Sequence, residues 1–321
     1  MSAARRSYDV HGVGVTVVTA DPAVADAMDL RLRAFPAVAD LDDAVSLEFV
    51  PPNGRPSSPG AAGRPVYETP FGDLLYDPGS DTIHGELDGV QLSCSASAGS
   101  AVFTCEAFAG RPLYLATHPL ATISLMEILE RRGLHALHAG CVATDGGLGI
   151  LLAGPSGAGK STLTFALAQA GMRFLSDDTV FLRREPAGDV RVLGFSDAIG
   201  VTEQTAERFA ELRPLLADDA ADGFPKRLRR IEDVFAAPPL ASCSPQALVF
   251  PEIVRDEPSF VTPLDAGEAL LRLVPDALLT EPGSTQRHLE AFAALLEQVR
   301  CYRVASGPDL RATADLVRAL V

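Results

Sequence analysis

The sequence predicts an α/β fold in which a core domain follows a strand-rich N-terminal region. A glycine-rich loop lies between an apolar run and a helix-forming segment near the middle of the chain. Short β-prone runs separated by turn signals occupy the first third, and strand-like and helix-like patterns alternate after the loop. We therefore expect an N-terminal domain at residues 1–115 and a core domain at residues 116–321.

Composition limits the function classes. The chain has 321 residues, of which 47% are hydrophobic and 21% charged, as in globular proteins that bury a core. A net charge of −15 argues against a nucleic-acid partner. There is no signal-peptide pattern and no apolar run near the roughly 18 residues of a membrane span, so we expect a cytoplasmic protein without a membrane partner. The five scattered cysteines predict reduced, buried thiols and no zinc site.

The N-terminal region contains three clear β-prone segments, at residues 12–18, 45–50 and 102–105. Between the second and third, residues 51–65 are dense in Pro, Gly and Ser, which predicts a loop. An amphipathic helix is predicted over residues 121–132, ending at Gly133. Further along the chain, helices are predicted over residues 268–279 and 289–299.

The central motif is a complete G-x-x-x-x-G-K-[ST] phosphate loop. Residues 148–153 read as a buried strand before it and residues 161–170 as a helix after it. Glycines let backbone N–H groups turn toward phosphate oxygens at the positive end of the helix. Lys160 then serves the outer phosphates, and Ser161 is a better Mg²⁺ ligand than Thr162. The alternative is an unrelated glycine-rich turn. The predicted nucleotide-binding residues are Gly154, Pro155, Ser156, Gly157, Ala158, Gly159, Lys160, Ser161 and Thr162.

An acidic pair, Asp177 and Asp178, follows the loop helix and precedes a β-prone run at residues 179–182. Adjacent strand residues point to opposite faces, so the two carboxylates are expected to have different roles. One would coordinate Mg²⁺ while the other accepts a proton or orients a neighbour. The alternative is a solvated turn.

A histidine, His138, lies in the apolar segment before the loop, where alternation places it on the face opposite Leu137. Taken alone, a histidine in an apolar strand is more typical of a core residue than of a catalytic group.

Together these residues resemble the HPr kinase/phosphorylase family of bacterial serine kinases over residues 138–182. That family has a histidine entering the nucleotide core, a G-x-S-G-x-G-K-S loop and an Asp-Asp pair. Here the counterparts are His138, the loop from Gly154 to Ser161, and Asp177 with Asp178, and Asp177 follows Ser161 by 16 residues.

The resemblance implies that the loop binds ATP and Mg²⁺. It also implies that Asp177 is the general base that takes a proton from a serine hydroxyl, with Asp178 and His138 as polar support. We expect Ser161 and Asp178 to be the Mg²⁺ ligands. The implied fold is similar to the nucleotide-binding domain of phosphoenolpyruvate carboxykinase, with a mixed sheet, and the related kinases form oligomers, which implies a homo-oligomer.

The sequence departs from the family pattern in two places. One residue, Ala139, separates His138 from Gly140, and a glycine-rich acidic signature is replaced by residues 193–200. The layout resembles the HPr-kinase-related proteins found beside peptide-modification genes, including kinases of lasso-peptide tails.

Lys226 is one of only two lysines among 27 Lys and Arg residues, and Arg227 follows it. Cations over a phosphoryl-transfer site neutralise the charge that spreads onto the transferred group. The equally weighted alternative is the start of a basic helix that pairs with nearby acids.

The predicted function is transfer of the γ-phosphoryl group of ATP to a hydroxyl, first of all a serine of a protein or peptide. The alternatives are a nucleotide-gated binding module and a small-molecule kinase.

Overall fold

The structure is a computed structural model, and it describes residues 3–39, 44–52, 63–195, 199–216, 227–235, 237–277 and 280–321. The chain divides into two compact units. The first contains the described residues up to Arg132 together with 280–285, and the second contains 133–216, 227–277 and 286–321. No helix among the described residues is long and apolar enough to cross a membrane.

The first unit is built on a mixed sheet of eight strands within its described residues, in the order β1-β2-β3-β8-β7-β6-β5-β4. Strand β3 pairs in parallel with both of its neighbours, and the other pairs are antiparallel. Its residues alternate between buried and partly exposed, as a sheet with one face on a core requires. The strands are β1 Ala4–Val10, β2 Val13–Thr19, β3 Val45–Val50, β4 Arg64–Thr69, β5 Gly72–Asp77, β6 Thr82–Leu87, β7 Val90–Ser95 and β8 Ser100–Thr104.

The helices of the first unit are α1 Pro22–Leu32, α2 Gly110–Leu115 and α3 Ala121–Arg131, the last two joined by a π-helical turn at Ala116–Leu120. An ion network fixes α3 within this unit. Arg131 on α3 lies 2.8 Å from Asp81 and 3.0 Å from Glu127, and Tyr67 donates a hydrogen bond to Glu127. The compact units accordingly divide after Arg132, whereas the sequence-based boundary at 115/116 assigned α3 to the core domain; that boundary stays a prediction.

The second unit contains a second mixed sheet, with strand order β12-β10-β11-β17-β14-β13-β9 and with β19 and β18 added beside β17. The parallel pairs are β11 with β17 and β17 with β19. A two-stranded ribbon pairs β15 with β16. The strands are β9 His135–Leu137, β10 Ala139–Ala143, β11 Leu148–Ala153, β12 Arg173–Ser176, β13 Val180–Arg184, β14 Val190–Gly194, β15 Ile199–Val201, β16 Arg227–Arg229, β17 Ser242–Ile253, β18 Phe260–Leu264 and β19 Arg300–Ser306.

Helices cover both faces of this sheet, which explains the continuous apolar run of β11. Leu151 packs into a core with α6 and α7, while Ile150 and Leu152 pack into a core with α4 and α8. A strand buried on both faces needs apolar residues at every position rather than alternating ones. The helices are α4 Lys160–Gln169, α5 Glu203–Arg208, α6 Ala266–Leu273, α7 Pro282–Gln298 and α8 Leu310–Arg318; short 3₁₀ turns cover Ala210–Leu216, Ile231–Asp233 and Val274–Asp276.

The α/β class with a mixed sheet is confirmed, and the five cysteines are free and buried. The helix predicted over 268–279 was wrong in extent, because α6 ends at Leu273 and Pro275 follows in a tighter turn. Helix α7 begins seven residues before the predicted start at 289. Helices α1 and α8, each begun by an aspartate side-chain cap, were missed. The loop predicted at 51–65 lies mostly outside the described residues.

Candidate active site

Three of the predicted site segments converge at one edge of the second sheet because of strand direction. Strand β10 is antiparallel to both β11 and β12, so the last two run parallel and end at the same edge. The phosphate loop, residues 154–162, begins where β11 ends. The acidic turn, residues 176–179, begins where β12 ends, and His138 immediately precedes β10. The sheet therefore brings together residues that lie up to 40 positions apart in the sequence, from His138 to Asp178.

The phosphate loop has the backbone geometry that its glycines predict. Gly154, Gly157 and Gly159 have φ values of 134°, 82° and 98°, which residues with side chains adopt only with strain. The Lys160 ammonium is buried within the curve of the loop, where it donates to the carbonyl of Gly154 at 2.6 Å and of Pro155 at 3.3 Å. Helix α4 begins at Lys160, so the loop stands at its positive end. This cradle and its buried cation fit a chain of phosphates.

Gly140 holds helix α4 against the sheet. A Cβ at this position would lie 2.2 Å from the hydroxyl oxygen of Thr164, which in turn donates to the backbone carbonyl of Lys160 at 2.9 Å. Only glycine permits so close an approach of strand and helix. The glycine one place beyond the family position thus has a packing role beside the loop.

The two aspartates lie in the bend between β12 and β13 rather than on a strand, so strand alternation is not what separates them. The Ser176 hydroxyl donates to the carbonyl of Thr179 at 2.7 Å and closes the bend. Within it Asp177 is buried, at 5% exposure, whereas the Asp178 side chain is 43% exposed. The two carboxylates therefore differ in solvent exposure, and the cause is the shape of the bend rather than strand alternation.

His138 occupies the break between β9 and β10, where the chain leaves one strand partner for another. The strand alternation predicted for it does not continue through this break. Its side chain is 40% exposed, and Nδ1 lies 3.8 Å from Oδ1 of Asp178. The core-histidine alternative is therefore wrong, and the imidazole lies within ion-pair distance of the acidic turn.

Asp276 is a half-buried carboxylate that sequence reasoning missed. Burial raises the pKa of Asp276, and the positive field of His138, Lys160 and His288 partly opposes that rise. Its carboxyl group therefore shares the electrostatic surroundings of the phosphate loop. The signal in the sequence was slight, since a single aspartate after Val274-Pro275 matches no motif.

A cleft of about 420 Å³ lies beside the phosphate loop, and we call it the side cleft. It is lined by Gly159 and Thr162 of the loop and by residues 204, 207, 208, 253–255, 306–308 and 310. Strands β17 and β19 are parallel to β11 and end at Ile253 and Ser306, so the cleft lies past their carboxyl ends. Crevices at the carboxyl ends of parallel strands are the usual ligand sites of α/β sheets.

Only part of the basic segment belongs to the described residues. Lys226 lies outside them. Arg227 begins the strand β16, so the helix start expected here is wrong. Its side chain is mostly buried, and its guanidinium lies 3.6 Å from Glu203. The contact is the ion pairing that the sequence left as an alternative for this segment.

Comparison with known proteins finds relatives that match part of the chain. No family model matches the chain. It is 32% identical over 130 residues, 39% of the chain, to an HPr kinase/phosphorylase of Chlorobium limicola, and 28% identical over 153 residues, 48% of the chain, to one of Chlorobium luteolum. The matched parts cover 37% and 41% of these relatives, so the chain spans about two fifths of their length.

Among solved structures, the HPr(Ser) kinase/phosphatase from Coxiella burnetii aligns with 57% of this chain and 94% of its own, with 13% identity and a TM-score of 0.32. A TM-score of this size does not establish a shared fold. The two Chlorobium relatives match independently of it. They confirm the resemblance first drawn from His138, the phosphate loop and the acidic pair, and the chain is similar to HPr kinase/phosphorylases over 39% to 48% of its length.

Proposed function

We propose that the protein is a Mg²⁺-dependent kinase that transfers the γ-phosphoryl group of ATP to a hydroxyl group, most directly a serine of a protein or peptide. The observation that carries the proposal is the shared sheet edge, where the phosphate loop, a buried aspartate and an exposed Asp178–His138 pair meet. A binding site for phosphates alone would not need the second and third of these.

The phosphate loop provides the nucleotide site. Its inward-turned backbone, the start of α4 and the Lys160 ammonium present positive charge to the β- and γ-phosphates. Mg²⁺, if bound with the nucleotide, would neutralise charge as it develops on the transferred group. We assign Mg²⁺ binding to Ser161 and Asp178. Ser161 is half-buried in the first turn of α4.

Asp177 is the residue we assign to the acceptor hydroxyl. A general base has to accept one proton as the hydroxyl oxygen attacks the γ-phosphorus, and a carboxylate within hydrogen-bond reach does this. Burial of Asp177 excludes competing water. Asp178 and His138 provide polar support for the acidic turn at its solvent-facing side. Nδ1 of His138 lies 3.8 Å from the Asp178 carboxylate.

Support for a protein or peptide acceptor comes from the relatives, both of which are named HPr kinase/phosphorylase. The absence of a recognisable counterpart to the family's later glycine-rich signature points to an acceptor other than HPr. Lys226 remains a candidate for contacting the transferred group. We also propose that the protein forms a homo-oligomer and acts in the cytoplasm.

Phosphoryl transfer from [γ-³²P]ATP tests the proposal. Purified protein with Mg²⁺ is incubated with arrayed peptides from the proteins encoded beside its gene, each with a serine and with a matched alanine. We expect label on serine peptides only, and none with Lys160→Ala. Tight ATP binding with no transfer to any peptide, metabolite or water would instead identify a nucleotide-gated binding module.

A further inference from the structure

The side cleft and the acidic turn lie on opposite sides of the phosphate loop. In the sheet order β12-β10-β11-β17, the acidic turn follows β12 on one side of β11, and the cleft follows β17 and β19 on the other. All of these ends point to the same edge, because β11, β12, β17 and β19 run in the same direction. A ligand lying along the loop therefore has one end near each feature.

The loop itself gives that ligand a direction. Lys160 and Ser161 serve the outer phosphates and the metal. Thr162, the next residue of α4, lines the side cleft, as does Gly159. The transferred phosphoryl group has to meet the acceptor and its base, which we place at Asp177. The inner phosphate and whatever it carries must then extend away from the acidic turn.

The walls of the cleft combine apolar surface with a fixed backbone. Ile253 is 59% exposed at the end of β17, and its Cγ1 lies 3.4 Å from where a Cβ on Gly159 would stand. The strand ends are held in place, since the N–H of Val254 donates to the carbonyl of Ser306 and the N–H of Gly307 donates to Oγ of Ser259, each at 2.9 Å. A preformed cleft loses little entropy on binding.

We infer that the side cleft binds the nucleoside of the phosphoryl donor, with the base against Ile253 and Leu310 and the inner phosphate near Thr162. The inference rests on the proposed use of ATP. A volume of about 420 Å³ is in the range of small-ligand pockets. The lining is mixed: it is apolar at Ile253 and Leu310, polar at Gln204 and Ser306, and charged at Glu207, Arg208 and Arg255. Phosphates alone would gain nothing from the apolar wall.

The test separates the nucleoside from the phosphates. Mg·ATP and Mg·tripolyphosphate are titrated by calorimetry into the wild type, Ile253→Asn and Leu271→Asn. Both substitutions replace an exposed aliphatic residue by a neutral polar one, and Leu271, 75% exposed on α6, does not line the cleft. Because Ile253 is exposed, its replacement leaves the core intact.

We expect Ile253→Asn to weaken ATP binding by roughly tenfold, the scale of one lost aliphatic contact, and to leave tripolyphosphate binding within about twofold. Leu271→Asn should change neither. Unchanged ATP affinity in Ile253→Asn, an equal loss for both ligands, or a wild type that binds ATP no better than tripolyphosphate would overturn the inference. The titration needs no transfer, so a protein that binds in this pattern but phosphorylates nothing would refute the proposed kinase and keep the nucleoside site.

Discussion

The two sides of the phosphate loop are built in different ways. On the acidic flank, formed by His138, Asp177 and Asp178, charged and polar groups come from the ends of neighbouring strands within one stretch of sequence. On the cleft flank, four segments spread from residue 159 to residue 310 form a wall of mixed polarity. The charged residues to which we assign the chemistry were recognisable in the sequence, while a cleft assembled from distant segments was not. We attribute transfer to the first flank and nucleoside affinity to the second.

The largest effect should come from the loop that both flanks share. Lys160→Ala removes the buried ammonium that donates to the carbonyls of Gly154 and Pro155, and with it the charge facing the phosphates. We expect ATP binding to be abolished while the chain stays folded, as measured by calorimetry and circular dichroism. Lys226→Ala is the matched control, since we expect it to lower kcat and leave ATP affinity nearly intact. Equal ATP affinity in the wild type and Lys160→Ala would contradict the loop assignment.

On the acidic flank, Asp177→Asn should keep ATP binding and slow transfer by roughly 10²-fold or more, the scale of a lost general base. The amide is the same size but does not accept the proton. Asp178→Asn serves as the neighbouring control and should instead alter the Mg²⁺ concentration needed for half-maximal rate. Single-turnover rates measure both, and a near wild-type rate for Asp177→Asn would remove it from the role of base.

Gly140→Ala should loosen the helix on which both flanks depend. The new methyl group would lie 2.2 Å from Oγ1 of Thr164, so we expect a loss of about 1–3 kcal/mol in the free energy of unfolding. Adding Thr164→Ala to Gly140→Ala should recover part of the lost free energy of unfolding. Urea denaturation of the wild type, the two single variants and the double variant would measure this. Gly146→Ala is the control, because its methyl group meets only Oγ1 of Thr144 at 3.7 Å. Additive losses would contradict the proposed contact.

The smallest effect concerns Asp276 and depends on pH. Burial raises the folded-state pKa of this carboxyl group above its ordinary 3.8, so the folded protein binds the proton more tightly than the unfolded chain does. That stabilisation is complete below pH 3.8 and is lost as the pH rises through the raised pKa. Asp276→Asn should therefore increase Tm at pH 7, and the gain should shrink toward pH 4. Asp145→Asn, at a side chain 87% exposed, should show no such trend.

Local rules explain why some of the site was predictable. The positive φ values at Gly154, Gly157 and Gly159 require glycine, so the backbone geometry of the loop could be predicted from the glycines of the motif. The buried state of Asp177 and the proximity of Asp276 to Lys160 depend instead on how strands and helices pack. His138 was misplaced on a continuous strand because alternation does not reveal where a chain changes its strand partner. The ion network of α3 depends on packing in the same way, since it includes Asp81, fifty residues before Arg131.

The most direct test of the division between the flanks is a steady-state comparison of Asp177→Asn and Ile253→Asn with ATP as the varied substrate. We predict that Asp177→Asn lowers kcat by roughly 10²-fold or more at an unchanged KM for ATP. We predict that Ile253→Asn raises that KM by roughly tenfold at an unchanged kcat. If both substitutions change the same parameter, the two flanks do not divide transfer from nucleoside binding, and the assignment of a separate role to each flank is wrong.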